Sequence, residues 1–141
     1  KIEIAALLPC STSNNINKAR DRLRTRIATY IGRFPRYRNQ MSAAGFAEEV
    51  NSVRAAWEQG NYIAARRLIP TKLIDQTAVI GSRKDCLERI RAYRSAGVSL
   101  PLIVPSVDPK MGISQAMDVI ETCAPQQLTE RKATGTLTHT G

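Results

Sequence analysis

Residues 77–105, TAVIGSRKDCLERIRAYRSAGVSLPLIVP, constrain the fold more than any other stretch of this chain. Ser82 and Asp85 stand three positions apart ahead of an apolar period, the spacing of a capping box whose side chains satisfy orphan amides at a helix start. From there Cys86, Leu87, Ile90 and Tyr93 recur on one helical face, while Arg83, Lys84, Glu88, Arg89, Arg91 and Arg94 fill the other. Gly97 follows Ala96 where a left-handed residue ends a helix, because glycine reaches that conformation without a Cβ clash. Leu100 to Val104 is then a continuous apolar run, as expected for a parallel strand covered on both faces, and Pro105 closes it. A helix handing over to such a strand is the building unit of an α/β fold.

The remaining periodicities are helical, apart from one more strand. Ile2 to Leu8 is β-like, and Pro9 to Asn15 reads as a polar turn rich in Ser and Asn. Ala19, Leu23, Ile27, Tyr30 and Ile31 recur at helical spacing, and Gly32 and Pro35 end that helix. Phe46, Val50, Val53 and Trp57 mark a second helix that stops before Gly60. Tyr62, Ala65, Leu68 and Ile69 mark a third, ended by Pro70, and Ile113, Ala116, Met117 and Ile120 mark the last. The expectation is an α/β fold over residues 1–124 with two parallel strands and many helices, followed by a polar, mobile tail over 125–141.

Beyond this physics, the Gly81-Ser82 start, the Tyr93-Arg94-x-Ala96-Gly97-Val98 helix end and the proline-closed strand resemble the last helix–strand unit of the luciferase-like monooxygenase family. An upstream block agrees with it: Ala19-Arg20, Tyr30, Tyr37, Gly45-Phe46, Trp57, Gly60, Ala64-Ala65 and Ile69-Pro70 resemble the helical region that precedes that unit. The resemblance implies the C-terminal portion of a TIM (β/α)8 barrel. Such a barrel takes about 250 residues, so 141 residues supply an incomplete one. Its open strand edges would self-associate or pair with the missing N-terminal barrel portion. The implied activity of the full-length parent is hydride transfer between a small organic substrate and a noncovalently bound FMN or deazaflavin coenzyme F420, with a lean to the deazaflavin branch. The protein would position a cofactor that carries the chemistry.

Barrel chemistry sits at the carboxyl ends of the strands. Pro9, Cys10 and Ser11 after the first strand, with Pro105 and Ser106 after the last, are therefore the candidate cofactor-binding or active-site rim. Arg33, Arg36, Tyr37 and Arg38, in a proline-containing turn, are candidates for an anionic substrate or a partner subunit, since guanidinium suits bidentate contacts. No catalytic residue is identifiable. The only histidine is His139, in the tail, and neither a Ser-His-Asp set nor a P-loop can be built. The chain alone is expected to be inactive. Cys10, Cys86 and Cys123 are widely spaced, without a Cys-x-x-Cys pair, so they read as ordinary cysteines of a reducing, cytoplasmic compartment with no metal site.

The formal net charge is +9, and Lys18, Arg20, Arg22, Arg24, Arg26, Arg33, Arg36 and Arg38 stand against Asp21 alone in one segment. That run supports a rival reading, a small basic helical module that binds nucleic acid or a partner chain. The reading is disfavoured, because the aromatic residues needed for base stacking fall on the apolar stripes. No stretch approaches the ~20 apolar residues of a membrane span.

Overall fold

The computed structural model describes residues 2–125. The part of the tail beyond Pro125, His139 included, lies outside them. Three strands, β1 (Ala5–Thr12), β2 (Val79–Gly81) and β3 (Leu100–Pro105), form one parallel sheet in the order β2-β1-β3. Seven α-helices accompany it: α1 (Ile16–Arg33), α2 (Pro35–Met41), α3 (Ala47–Glu58), α4 (Tyr62–Arg67), α5 (Thr71–Thr77), α6 (Arg83–Ser95) and α7 (Gly112–Cys123). The α/β class and the partial-barrel character hold, with three strands where two were expected. The short β2 has no signature in the sequence, because three residues, Val-Ile-Gly, carry no period of their own.

Backbone donors explain how three prolines fit this sheet. In a parallel ladder, alternate residues turn their N–H groups to opposite sides. Leu100 N donates to Ile4 O at 3.1 Å and Ser106 N to Cys10 O at 2.7 Å, so the even-numbered residues of β3 point at β1. Pro101 and Pro105 therefore place their missing donors on the open edge of β3, where proline is tolerated and discourages further pairing. Pro9 turns toward β2, but the β2 register starts only at Cys10↔Val79. The strand consequently runs on through Pro9 to Thr12, and the expected turn over 9–15 shrinks to the residues after Thr12.

Two cores lie on opposite sides of β2. Val79 joins Leu8, Cys10, Cys86, Ile90 and Val119 under α6 and α7. Ile80 packs against the larger core, in which Leu23, Ile27 and Ile31 of α1 meet Val50 and Val53 of α3 and Leu73 and Ile74 of α5. Each fully buried Leu or Ile there contributes about 1.5–3 kcal/mol. Arg20 fastens α1 to α5 with a fork on Asp75, Nε to Oδ1 at 3.0 Å and Nη2 to Oδ2 at 2.8 Å. Past Arg33 the expected turn is instead helix α2, because Pro35 occupies its first position, where a missing N–H costs nothing. Gly45, with φ 96°, breaks the helical path before α3. The amino-terminal part of the β1 face away from α6 and α7 stays open: Leu7 is 64% exposed, and its register partner Leu102 is 41% exposed.

The termini of α6 are built as its sequence predicts. Ser82 and Asp85 form the capping box, and Gly81, at φ 114°, must be glycine, since a Cβ there would meet Asp85 Oδ2 at 2.7 Å. At the other end Gly97 N bonds Arg94 O at 3.0 Å and Val98 N bonds Tyr93 O at 3.1 Å, a Schellman pair. Hydrogen bonds from Ser82 lower the Asp85 pKa. A depressed folded-state pKa stabilises the protein above the unfolded carboxylate pKa and is lost as pH falls through the folded one. Asp85→Asn is therefore expected to weaken the fold near neutrality and to flatten the acid limb of its stability curve, read by thermal melts across that range. An unchanged acid limb would contradict the role.

Gly32 is helical, and glycine in a helix interior ordinarily costs about 0.5–1 kcal/mol against alanine. Here the indole of Trp57 lies where a Cβ would stand. Overpacking costs about 1–3 kcal/mol, so the clash outweighs the propensity gain. Gly32→Ala is expected to lower the melting temperature, and a rise would show that Trp57 swings aside freely.

Candidate active site and a buried cysteine cluster

At the carboxyl end of the sheet, α1 and the loop after β3 enclose an open cleft of about 1030 Å³. Lys18, Arg22 and Arg26, one helical turn apart, form its basic wall, joined by Arg66 of α4; Tyr30, Pro105 and Ser106 also line it. Arg22 Nη1 donates to Thr12 O at 3.1 Å and to Ser11 Oγ at 3.4 Å, and Arg26 Nη2 to Pro105 O at 3.4 Å. The far wall is a loop braced by Asp108 N to Gln115 Oε1 at 2.7 Å. Arg26 Nη1 and Ser106 Oγ are buried with no hydrogen-bond partner. An unmatched buried polar group is costly. Two such groups beside a cationic wall suit an anionic, oxygen-rich ligand, which supplies the acceptors they lack. A second hollow, of about 720 Å³ between α1, Trp57, Tyr62 and Ile63, contains none of these orphaned groups.

The expected rim residues fall at one end of the sheet, because β1 and β3 are direct neighbours with Cys10 opposite Pro105. Pro105 and Ser106 line the cleft, and Ser11, fully buried, is reached by Arg22. Pro9 is half-buried within the strand, and Cys10 belongs to the core under α6 and α7. Arg33, Arg36, Tyr37 and Arg38 are not among the residues lining the cleft. Arg38 Nη1 instead caps α1 through Ile31 O at 2.8 Å, and Tyr37 stacks on Tyr30 at 4.7 Å between centroids. Arg33 and Arg36 are exposed. The wall residues Lys18, Arg22 and Arg26 were not among the expected site residues, although their four-residue spacing puts them on one helix face. Nothing in the sequence told which way that face turns.

On the other side of the sheet, Cys10 of β1, Cys86 of α6 and Cys123 of α7 bring their sulfurs within 4.8 Å of one another. Their separation along the chain hid this meeting. Cys10 and Cys86 are fully buried, and Cys123 is half-buried. Cys10 Sγ lies 3.7 Å from Cys123 Sγ, and Cys86 Sγ donates to Gly81 O at 3.8 Å. The three titrate as a unit. The hydrogen bond to Cys123, then Cys86 and burial, push the Cys10 thiol up. Hydrogen bonding with Cys10 and then Cys86, with the Arg83 charge nearby, pulls Cys123 down to about 4. Arg83 is held there by donating to Glu121 O at 2.7 Å and Thr122 O at 2.8 Å.

A parallel sheet wrapped by helices, with its cleft at the strand carboxyl ends, defines part of an α/β barrel. The chain belongs to the luciferase-like monooxygenase family, whose sequence profile matches residues 1–100. Its fold is similar to that of the coenzyme F420-dependent tetrahydromethanopterin reductase from Methanopyrus kandleri, with a TM-score of 0.66 at 21% identity over 86% of this chain. The chain spans 33% of that protein's length. No match was found among curated proteins. No helix among the described residues is long and apolar enough to cross a membrane.

Ser106→Ala removes a buried hydroxyl that has no partner. In the ligand-free protein it is expected to be neutral or to stabilise by about 1 kcal/mol, measured by chemical denaturation. A clear loss of stability would mean that the hydroxyl is satisfied and the cleft is not a prepared site.

Proposed function

We propose that residues 1–124 form part of a barrel oxidoreductase that moves a hydride between a small organic substrate and a noncovalently bound coenzyme, FMN or, preferentially, the deazaflavin F420. The observation that carries this reading is the pairing of a cationic wall with the orphaned Arg26 Nη1 and Ser106 Oγ, at the end of the sheet where barrel enzymes place their chemistry. Lys18, Arg22 and Arg26 would hold the coenzyme's anionic portion, with Ser106 donating a hydrogen bond. Tyr30, backed by Tyr37 and edged by Phe34 at 6.1 Å, offers an apolar side wall. The coenzyme, when bound, supplies the hydride-accepting ring. The residues of this chain supply position, charge neutralisation and partial exclusion of water. The deazaflavin preference rests on the fold neighbour, whose coenzyme is F420.

The open face carrying Leu7, Leu100 and Leu102 fits the same reading, since further strands of a barrel would cover it. The nucleic-acid reading gains no support. Arg20, Arg24 and Arg38 are committed to Asp75, Ile69 O and Ile31 O respectively, so the basic run does not form a continuous phosphate-tracking row.

The protein purified from its source cells is expected to bind one of the two coenzymes in a fluorescence titration, F420 more tightly than FMN. Arg26→Ala is expected to weaken that binding about tenfold or more, as loss of a charge-assisted contact does. Binding of neither coenzyme would overturn the reading. Binding untouched by Arg26→Ala would move the site elsewhere in the barrel.

A further inference from the structure

We propose that Cys10, Cys86 and Cys123 form a binding site for a soft, thiolate-preferring d10 cation such as monovalent copper or zinc. The site is set between the sheet and helices α6 and α7, and it is independent of the coenzyme cleft, which α1 builds.

Metric fit carries the inference. Three sulfurs within 4.8 Å of one another leave a point no more than about 2.8 Å from each, and a metal–thiolate bond is about 2.3 Å. With that bond length, sulfurs around one cation stand about 3.8 Å apart in a tetrahedral site and about 4.0 Å apart in a trigonal one. The observed Cys10–Cys123 separation of 3.7 Å already has that size. A disulfide, at about 2.05 Å, would require this pair to close by more than an ångström and would leave Cys86 without its neighbours.

The scaffold restrains the ligands from three directions. Cys10 sits on the central strand, between hydrogen-bonded neighbours on both sides. Cys86 sits in the first turn of α6, behind the capping box. Cys123 ends α7, whose last carbonyls are held by Arg83 of α6. The surroundings are Leu8, Val79, Ile90 and Val119, which exclude water and favour sulfur-bound over hydrated cations. All-sulfur donors select copper(I) or zinc over magnesium or calcium. Binding releases the thiol protons to solvent. The excess negative charge of three thiolates faces the Arg83 guanidinium. Cys123, half-buried, provides the way in, and on zinc a water would be the fourth ligand.

The test uses the full-length protein, reduced and metal-free, titrated separately with zinc and with copper(I) buffered by a chromogenic chelator. One equivalent should bind, with a thiolate-to-metal absorption band and release of protons. Mass mapping should show all three cysteines losing reactivity toward alkylation together. Cys123→Ser should weaken binding at least tenfold. Cys86→Ala, which keeps the core volume nearly unchanged, should do the same, and a thermal melt of each apo variant confirms that it remains folded. Zinc bound more tightly would indicate the four-coordinate site with water, and copper(I) the trigonal one; either supports the proposal. Overturning results are a lack of stoichiometric binding by both ions, cysteines that alkylate independently whether or not metal is present, or a Cys10–Cys123 disulfide in protein isolated without oxygen.

Discussion

Hydrogen bonding of β1 on both sides is the constraint on which the rest depends. β1 pairs with β2 through Cys10, Ser11 and Thr12, and with β3 along Ala5 to Cys10. Parallel strands cannot be joined by tight turns, so each return to this sheet demands a helical crossover. The long crossover from β1 to β2 is therefore a bundle, α1 to α5, and the short one from β2 to β3 is α6 alone. Both cores follow from this. One lies beneath the bundle, the other beneath α6 and α7, and the alternation of Val79 and Ile80 assigns neighbouring residues of a single strand to different cores.

The strand order sets this chain apart from a simple arc of barrel wall. In a closed barrel, consecutive strands are neighbours, whereas here β3 takes the far side of β1 and leaves β2 at an edge. Pro101 and Pro105 then remove two donors from the outer edge of β3. That edge resists further pairing while the open face, with Leu7 and Leu102, remains apolar. Edge and face thus differ: the edge of β3 offers fewer donors to a further strand, whereas the apolar face calls for the cover that the rest of a barrel would supply.

Function and stability are in tension in the cleft. Arg22 and Arg26 contribute to folding by tying α1 to the ends of β1 and β3, and the same guanidinium groups form the wall that suits an anion. Leaving Ser106 Oγ and Arg26 Nη1 unmatched has a free-energy cost that a packed core would avoid. Such a cost is typical of binding sites, where polar groups wait for a ligand to satisfy them. The cysteine cluster shows a related economy: packing that serves as core also gathers three thiols with matched spacing.

Local chemistry determined much in advance. The α6 capping box, the left-handed Gly97, the strand β3 and the helical stripes of α1 and α3 were legible because each depends on residues a few positions apart, whereas the cover expected on both faces of β3 is present on one alone, Leu100 and Leu102 being exposed. The family resemblance was legible for the same reason, being carried by ordered short motifs. What the sequence left undecided involved pairs far apart in the chain. β2 is a strand only because β1 lies beside it, and α2 is a helix at a proline that reads equally well as a turn. Arg38 reaches back to the end of α1, a contact that its place after Pro35 does not reveal. Cys10 and Cys123 meet across the whole described chain because the sheet and α7 place them so. Short-range preferences are encoded in neighbouring residues, whereas the direction in which a helix face turns, and what it meets, is decided only by the packing of distant segments.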